Sequence, residues 1–251
     1  MDRLIKIALL FSMLLNLLFL VLGIFSLAKR GGIPYLFKKI SSLIMKESYL
    51  IPMNEIPYYV DKVSHFSNLT NTDPEIIFLG DSITDYCEWS ELFGNHKIKN
   101  RGISGDRTDG ILNRLDEILQ AQPQKIFLMV GINDLIQGRE ICKIFTNYKI
   151  IVLKIKHKLP DTKLFIQSVL PINNLITQKK LFLKLNNNKV IEFNAKLQDL
   201  AKEFSLPYID LFAAFADSYR ELDERYTTDG VHLNGEAYLL WEKIIEKDVV
   251  D

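Results

Sequence analysis

The chain has 251 residues, of which 48% are hydrophobic and 25% charged, a balance that suits a folded protein and excludes a disordered one. Its 31 basic and 31 acidic residues cancel, so the basic surplus expected of a nucleic-acid-binding protein is absent. Two cysteines, Cys87 and Cys142, are too few for a disulfide framework, and no Cys-x-x-Cys or Cys/His ligand spacing occurs.

The first element in chain order is an uncharged run over residues 7–28, whose polar members are Ser12, Asn16 and Ser26. As a helix it would be about 33 Å long and apolar on every face, enough to cross a hydrocarbon core of about 30 Å. Residues 1–30 are therefore expected to form an N-terminal transmembrane helix that anchors the protein. Ser26-Leu27-Ala28 also resembles a small-x-small cleavage site, which makes a removable signal segment the rival reading. The length of the run and the Lys29-Arg30 pair directly after it favour the anchor. Arg3 and Lys6 precede the span, whereas Lys29, Arg30, Lys38, Lys39 and Lys46 follow it. That bias alone would keep the C-terminal side cytoplasmic, but large domains cross largely regardless of local charge.

Residues 31–70 read as a juxtamembrane linker with short helices. Over residues 35–46, Leu36, Phe37, Ile40, Leu43 and Ile44 mix with three lysines. This pattern fits a helix at headgroup level or an ordinary surface helix equally well. Residues 56–69 read as a short helix leading into a globular domain over residues 71–251.

Within that domain, apolar runs alternate with helical periodicity. Strands are expected at 76–79, ending at Gly80, and at 97–100, 126–130, 163–170 (stopped by Pro171) and 208–210. Helices are expected at 109–120, where Ile111, Leu112, Leu115, Ile118 and Leu119 share one face, and at 141–158, 190–204 and 235–246. Strands separated by helices of this size imply an α/β fold with a five-stranded parallel sheet covered on both faces. Ligands in such sheets bind at the carboxyl ends of the strands.

Polar clusters fall at those ends. They are Gly80-Asp81-Ser82-Ile83-Thr84, Asn100-Arg101-Gly102 and Gly131-Ile132-Asn133-Asp134, with Asp229-Gly230-Val231-His232 before the last helix. A serine after a strand is by itself more often a helix cap than a nucleophile. A serine nucleophile needs a base within hydrogen-bond reach, and His232 is the candidate, with Asp229 three residues earlier to orient its ring. His65, His96 and His157 have no comparable acid partner and placement. The tetrahedral intermediate carries a negative charge, and the backbone N–H groups of Ser82 and Gly102 with the side-chain amide of Asn133 are the expected oxyanion donors. Asp81 and Asp134 are expected to brace their turns. Ser104 has no motif support as a rival nucleophile.

These four clusters, in this order, resemble the SGNH or GDSL-type serine hydrolases, with Ser82, Gly102, Asn133 and His232 in the positions that give the family its name. The resemblance spans residues 76–241. The stretches Asn100-Arg101-Gly102-Ile103-Ser104-Gly105-Asp106 and Phe127-Leu128-Met129-Val130-Gly131-Ile132-Asn133-Asp134 are similar to the platelet-activating-factor acetylhydrolase-like and carbohydrate-acetylesterase branch. The resemblance implies a flavodoxin-like three-layer sandwich, no metal or other cofactor, and hydrolysis of carboxylic esters by Ser82, His232 and Asp229. The Gly-x-Ser-x-Gly elbow, His-Glu-x-x-His and phosphate loops are absent. The expectation is a membrane-tethered serine esterase, its domain on the extracytoplasmic side, removing short acyl groups such as O-acetyl from a glycan. The alternatives are a lysophospholipase or thioesterase acting on lipid acyl esters, an acyl transferase to a sugar, and a non-catalytic binding module.

Overall fold

The computed structural model describes residue 32 and residues 51–69, 76–181 and 185–250. The expected anchor at 7–28 and the segment 35–46 lie outside the described residues. Among the described residues no helix is long and apolar enough to cross a membrane. The chain divides into two compact units, Met1–Ile51 and Pro52–Asp251, and every element below belongs to the second.

Strand β1 (Ile76–Gly80) reads Ile-Ile-Phe-Leu-Gly and is buried at every position, as an uninterrupted apolar run in a sheet covered on both faces should be. With β2 (Ile98–Gly102), β3 (Lys125–Met129), β4 (Lys163–Gln167) and β5 (Tyr208–Ile209) it forms a sheet of order β2-β1-β3-β4-β5. All four pairings are parallel. The chain leaves β1 for β2 on one side, returns past β1 to β3, and continues outward. That reversal opens a crevice at the carboxyl ends of β1 and β3, where ligands bind in sheets of this kind.

Strand register builds one face of the core. Phe78 stands opposite Phe127, and Phe127 opposite Phe165. Their rings stack with centroids 4.9 and 4.4 Å apart. Trp89, in the short helix α3 (Trp89–Leu92), continues the stack on Phe78 at 3.9 Å. Trp241 of the last helix, α10 (Gly235–Val250), meets Trp89 edge-on at 5.0 Å. The alternate strand residues point to the other face. The crossover helices α4 (Thr108–Ala121), α6 (Ile141–Lys158) and α8 (Asn187–Glu203) carry buried stripes such as Ile111, Leu115 and Ile118, or Tyr148, Ile151, Val152 and Ile155. Two helical layers around one parallel sheet result.

Two strand ends differ from the sequence expectation by two residues or more, and the other differences are of one residue. The fourth strand ends at Gln167, not at 170, although Val169, Leu170 and Ile172 are buried. Its neighbour β5 is only two residues long, and side chains of α8 complete the backbone pairing instead. Asn194 accepts from the Val169 N–H and donates to its carbonyl, both at 2.8 Å. Asn187 does the same for Ile172 at 3.0 and 2.8 Å. The second strand runs on to Gly102, which pairs with Gly80 of β1. As an edge strand it carries half-buried Lys99 and Asn100 in place of an apolar run, so its end is not marked by hydrophobicity.

Upstream of β1, helix α1 (Pro57–Ser67) opens with proline at its first position, where the missing N–H costs nothing. Its Tyr59 and Phe66 join Met53 and Ile103 in a small cluster apart from the main core.

Candidate active site

Ser82 begins helix α2 (Ser82–Asp85) at the carboxyl end of β1. Asp81 caps this helix, its carboxylate accepting from the Ile83 N–H at 3.1 Å. The Ser82 N–H, at the helix start, has no hydrogen-bond partner among the described residues. The end of α2 is clamped by Asn100, whose amide nitrogen lies within 3.0 Å of the carbonyls of Thr84, Asp85 and Cys87.

Across the crevice, the Asp229 carboxylate accepts from the backbone N–H groups of Val231 and His232, both at 2.8 Å. Its other oxygen lies 2.6 Å from His232 Nδ1. A carboxylate can only accept, so Nδ1 carries a proton, and in the neutral ring Nε2 then presents its lone pair. That lone pair faces Ser82 Oγ at 3.0 Å. Burial pushes the Asp229 carboxyl up, but the bonds from the His232 ring and from the backbone N–H groups outweigh it and hold the group below the usual carboxylate range. The structure thus brings Ser82, His232 and Asp229 into one hydrogen-bonded line. Tyr86 flanks it, half exposed, with its ring 4.8 Å from the His232 ring.

Asn133 lies in α5 (Ile132–Ile136), just past β3, and its amide donates to the Asp106 carbonyl at 2.8 Å. An amide nitrogen carries two hydrogens, so one is left for a ligand. Gly102 departs from the expectation for an oxyanion donor. Its N–H already donates to Asn100 Oδ1 at 2.8 Å. A Cβ there would run into the backbone of Asp85, so glycine is needed for β2 and α2 to approach. The sequence reading passed over Gly105. Asp106 N–H donates to the Ile103 carbonyl at 3.0 Å, closing a turn over 103–106 with Gly105 third and at φ +79°. The Gly105 N–H has no partner among the described residues, and its Cα faces open space. The signal was a glycine inside the turn after the strand, where backbone is exposed, as opposed to one ending the strand.

Beneath these groups lie three buried carboxyls. Asp134 accepts from the Thr108 N–H and hydroxyl at 2.9 and 3.0 Å. Asp106 pairs with Arg114 at 2.9 Å, and Arg114 also donates to the carbonyls of Gly80 and Arg101. Burial pushes Asp81 up to about 7, and Asp106 and Asp134 up to about 6. Ser104, the rival serine, donates its N–H to Asp85 and has its hydroxyl 3.5 Å from that of Tyr86. Among the described residues no group of acidic, histidine or cysteine side chains could hold a metal ion.

Known proteins share this arrangement of sequence and fold. The chain is 31% identical over 105 residues to platelet-activating factor acetylhydrolase IB subunit alpha1 of Bos taurus, which covers 39% of this chain and 44% of that protein. It is 28% identical over 178 residues to the alpha2 subunit of Rattus norvegicus, covering 66% of this chain and 72% of that one. The match thus spans less than half the length of the first relative and nearly three quarters of the second. A solved structure described as a platelet activating factor from Streptococcus pneumonia has a TM-score of 0.71 at 29% identity, covering 84% of this chain and 99% of that one. The model of one family matches residues 78–240, from β1 to the helix after His232, and the chain belongs to that GDSL-like Lipase/Acylhydrolase family, whose members are ester-hydrolysing serine hydrolases.

Proposed function

We propose that this protein is a serine esterase that cleaves short acyl esters through a covalent intermediate on Ser82. Its substrate is an O-acetylated glycan, and residues 7–28 hold it at the membrane with the domain on the extracytoplasmic side. The observation that carries the reading is the line from Ser82 Oγ through the His232 ring to Asp229, with steps of 3.0 and 2.6 Å.

Ser82 Oγ attacks the acyl carbonyl while His232 Nε2 takes its proton. Asp229 stabilises the resulting imidazolium through Nδ1. The oxyanion is received by the N–H groups of Ser82 and Gly105 and by the free hydrogen of the Asn133 amide; an oxyanion donor typically supplies ~10²–10³ in turnover. His232 returns the proton to the leaving alcohol. Water, deprotonated by the same ring, then frees the acid and restores Ser82. No step calls for a metal or other cofactor.

A short acyl group is favoured because the named relatives are acetylhydrolases. The glycan rests on the likeness of the Asn100–Asp106 and Phe127–Asp134 stretches to the carbohydrate-acetylesterase branch. The full-length protein in detergent, given acetylated sugars, lysophospholipids and a p-nitrophenyl ester series, tests both points. Rates highest for acetyl esters, with free acetate and deacetylated sugar as products, support the reading. Rates that climb with acyl length would assign it to lipid esters instead. Protease accessibility of the domain in intact cells tests the side of the membrane.

A further inference from the structure

We infer that helix α1, through Asp85, holds the oxyanion-side turn 103–106 in place against Ser82. Tyr58, Lys62 and Asp85 are then positioning residues for the esterase reaction proposed above, on which this inference rests.

Asp85 is the last residue of α2, three positions after Ser82. One of its carboxylate oxygens accepts from the Ser104 N–H at 3.2 Å and from the Tyr58 hydroxyl at 2.8 Å. The other pairs with Lys62 Nζ at 2.9 Å. Its side chain is only 7% exposed, against 28% for Lys62. A carboxylate that is nearly buried needs strong hydrogen-bond and ion-pair partners to offset its lost hydration. Two of its three partners come from α1. The third, the Ser104 N–H, belongs to the residue directly before the donor Gly105.

The apolar side of the same segment grips the turn from below. Ile103, its first residue, is fully buried in the cluster with Met53, Tyr59 and Phe66. The Tyr59 hydroxyl donates to the Gly110 carbonyl at 2.7 Å, in the first turn of α4 just after the 103–106 turn. The Phe66 ring lies under the Arg101 guanidinium at 4.7 Å, at the end of β2 just before it. Residues 101–110 are therefore touched by α1 at Arg101, Ile103 and Gly110 directly, and at Ser104 through Asp85. Helix α1 precedes the stretch matched by the family model, residues 78–240. The brace is thus supplied by a segment outside the region that carries the nucleophile and base.

With the Tyr58 hydroxyl and the Lys62 ammonium removed, Asp85 loses most of its compensation and turns toward water, releasing the Ser104 N–H. The Gly105 donor then drifts from the oxyanion, while binding of the ground-state ester is left as it was. A misplacement of about 1 Å can cost ~10² in rate; a partial loosening should cost roughly tenfold, below the ~10²–10³ of deleting a donor.

The test uses the full-length protein with Tyr58→Phe combined with Lys62→Met, assayed on p-nitrophenyl acetate and titrated with a boronic acid that forms a tetrahedral adduct on the active-site serine. The expected result is a kcat about tenfold lower, boronic acid affinity weakened by a similar factor, and KM within about twofold of wild type. Lys62→Arg alone should keep wild-type turnover. Unchanged kcat and boronic acid affinity in the double variant would overturn the inference. If that variant does not fold, Tyr58→Phe alone reads the same quantities, with about threefold losses expected and no loss overturning it. A Ser82→Ala control separates the two levels: turnover surviving there sinks the esterase reading itself, whatever α1 does.

Discussion

The Tyr238 hydroxyl donates to the Ile83 carbonyl at 2.8 Å, so the helix that follows His232 is tied to the helix that begins at Ser82. The proposed nucleophile and base lie far apart in sequence, and this bond joins their supports directly. Trp241, one turn further along α10, fastens the same helix to the end of β4, its indole N–H donating to Gln167 at 2.8 Å. Tyr238→Phe leaves a buried carbonyl without its donor, at a cost of about 1–3 kcal/mol. Urea unfolding should show that loss, and kcat should fall severalfold as the Ser82–His232 contact loosens. Wild-type stability and turnover together would refute the role given to this bond.

Asp229→Asn offers an amide where a carboxylate stood. The amide can donate to Nδ1, which moves the ring proton to Nε2 and removes the lone pair facing Ser82. Turnover of p-nitrophenyl acetate should drop about 10³–10⁴-fold, on the scale such a tautomer change has elsewhere, with little change in thermal midpoint. A loss under tenfold would mean that Asp229 does not set the tautomer.

Asn133 and Gly102 should separate cleanly. Asn133→Ala removes a donor from the oxyanion side and should lower kcat ~10²–10³-fold with KM little changed. Gly102→Ala places a methyl group against the Asp85 backbone, and its first effect should be a lower midpoint of thermal unfolding. The opposite pattern, a stable Gly102→Ala protein with lost turnover, would return Gly102 to the oxyanion site.

The Asp81 carboxyl is pushed up to about 7 by burial, against the pull of the Ile83 N–H and with a further push from Asp106 and Asp134. Its folded-state value lies above the unfolded value of about 3.9. Between about pH 4 and pH 7 the native state therefore holds a proton that the unfolded chain releases, and stability from this group falls as pH rises through that window. Asparagine caps a helix as well as aspartate and carries no charge. Asp81→Asn should gain thermal midpoint relative to wild type as pH climbs from about 4 to 7. Parallel midpoint–pH curves for the two proteins would contradict this.

Much of the architecture was legible because buried strands announce themselves. Ile76–Leu79 and Ile126–Met129 are apolar throughout, and the helix spacing of Ile111, Leu115 and Ile118 fixes a buried face. The edge strand gave no such signal: its Lys99, Asn100 and Arg101 pair on one side only, and periodicity was short by two residues. The region after Gln167 misled in the other direction, since an apolar run reads as strand even when asparagine side chains complete its backbone bonds. Ser82, Asp229, Asn133 and His232 stood out through their motif spacing. Gly102 and Gly105 could not be told apart that way, because what distinguishes them is whether the N–H is already taken by Asn100. The contribution of α1 was likewise invisible, since Tyr58 and Lys62 meet Asp85 only through the tertiary fold.

In the proposed mechanism Ser82 forms the covalent bond. The direct measurement is peptide mapping by mass spectrometry after the full-length protein is treated with a fluorophosphonate probe. The expected outcome is one adduct, on Ser82, lost together with ester turnover in Ser82→Ala and formed far more slowly in His232→Ala. Labelling at another residue, or an unlabelled protein that still turns over acetyl esters, would contradict it.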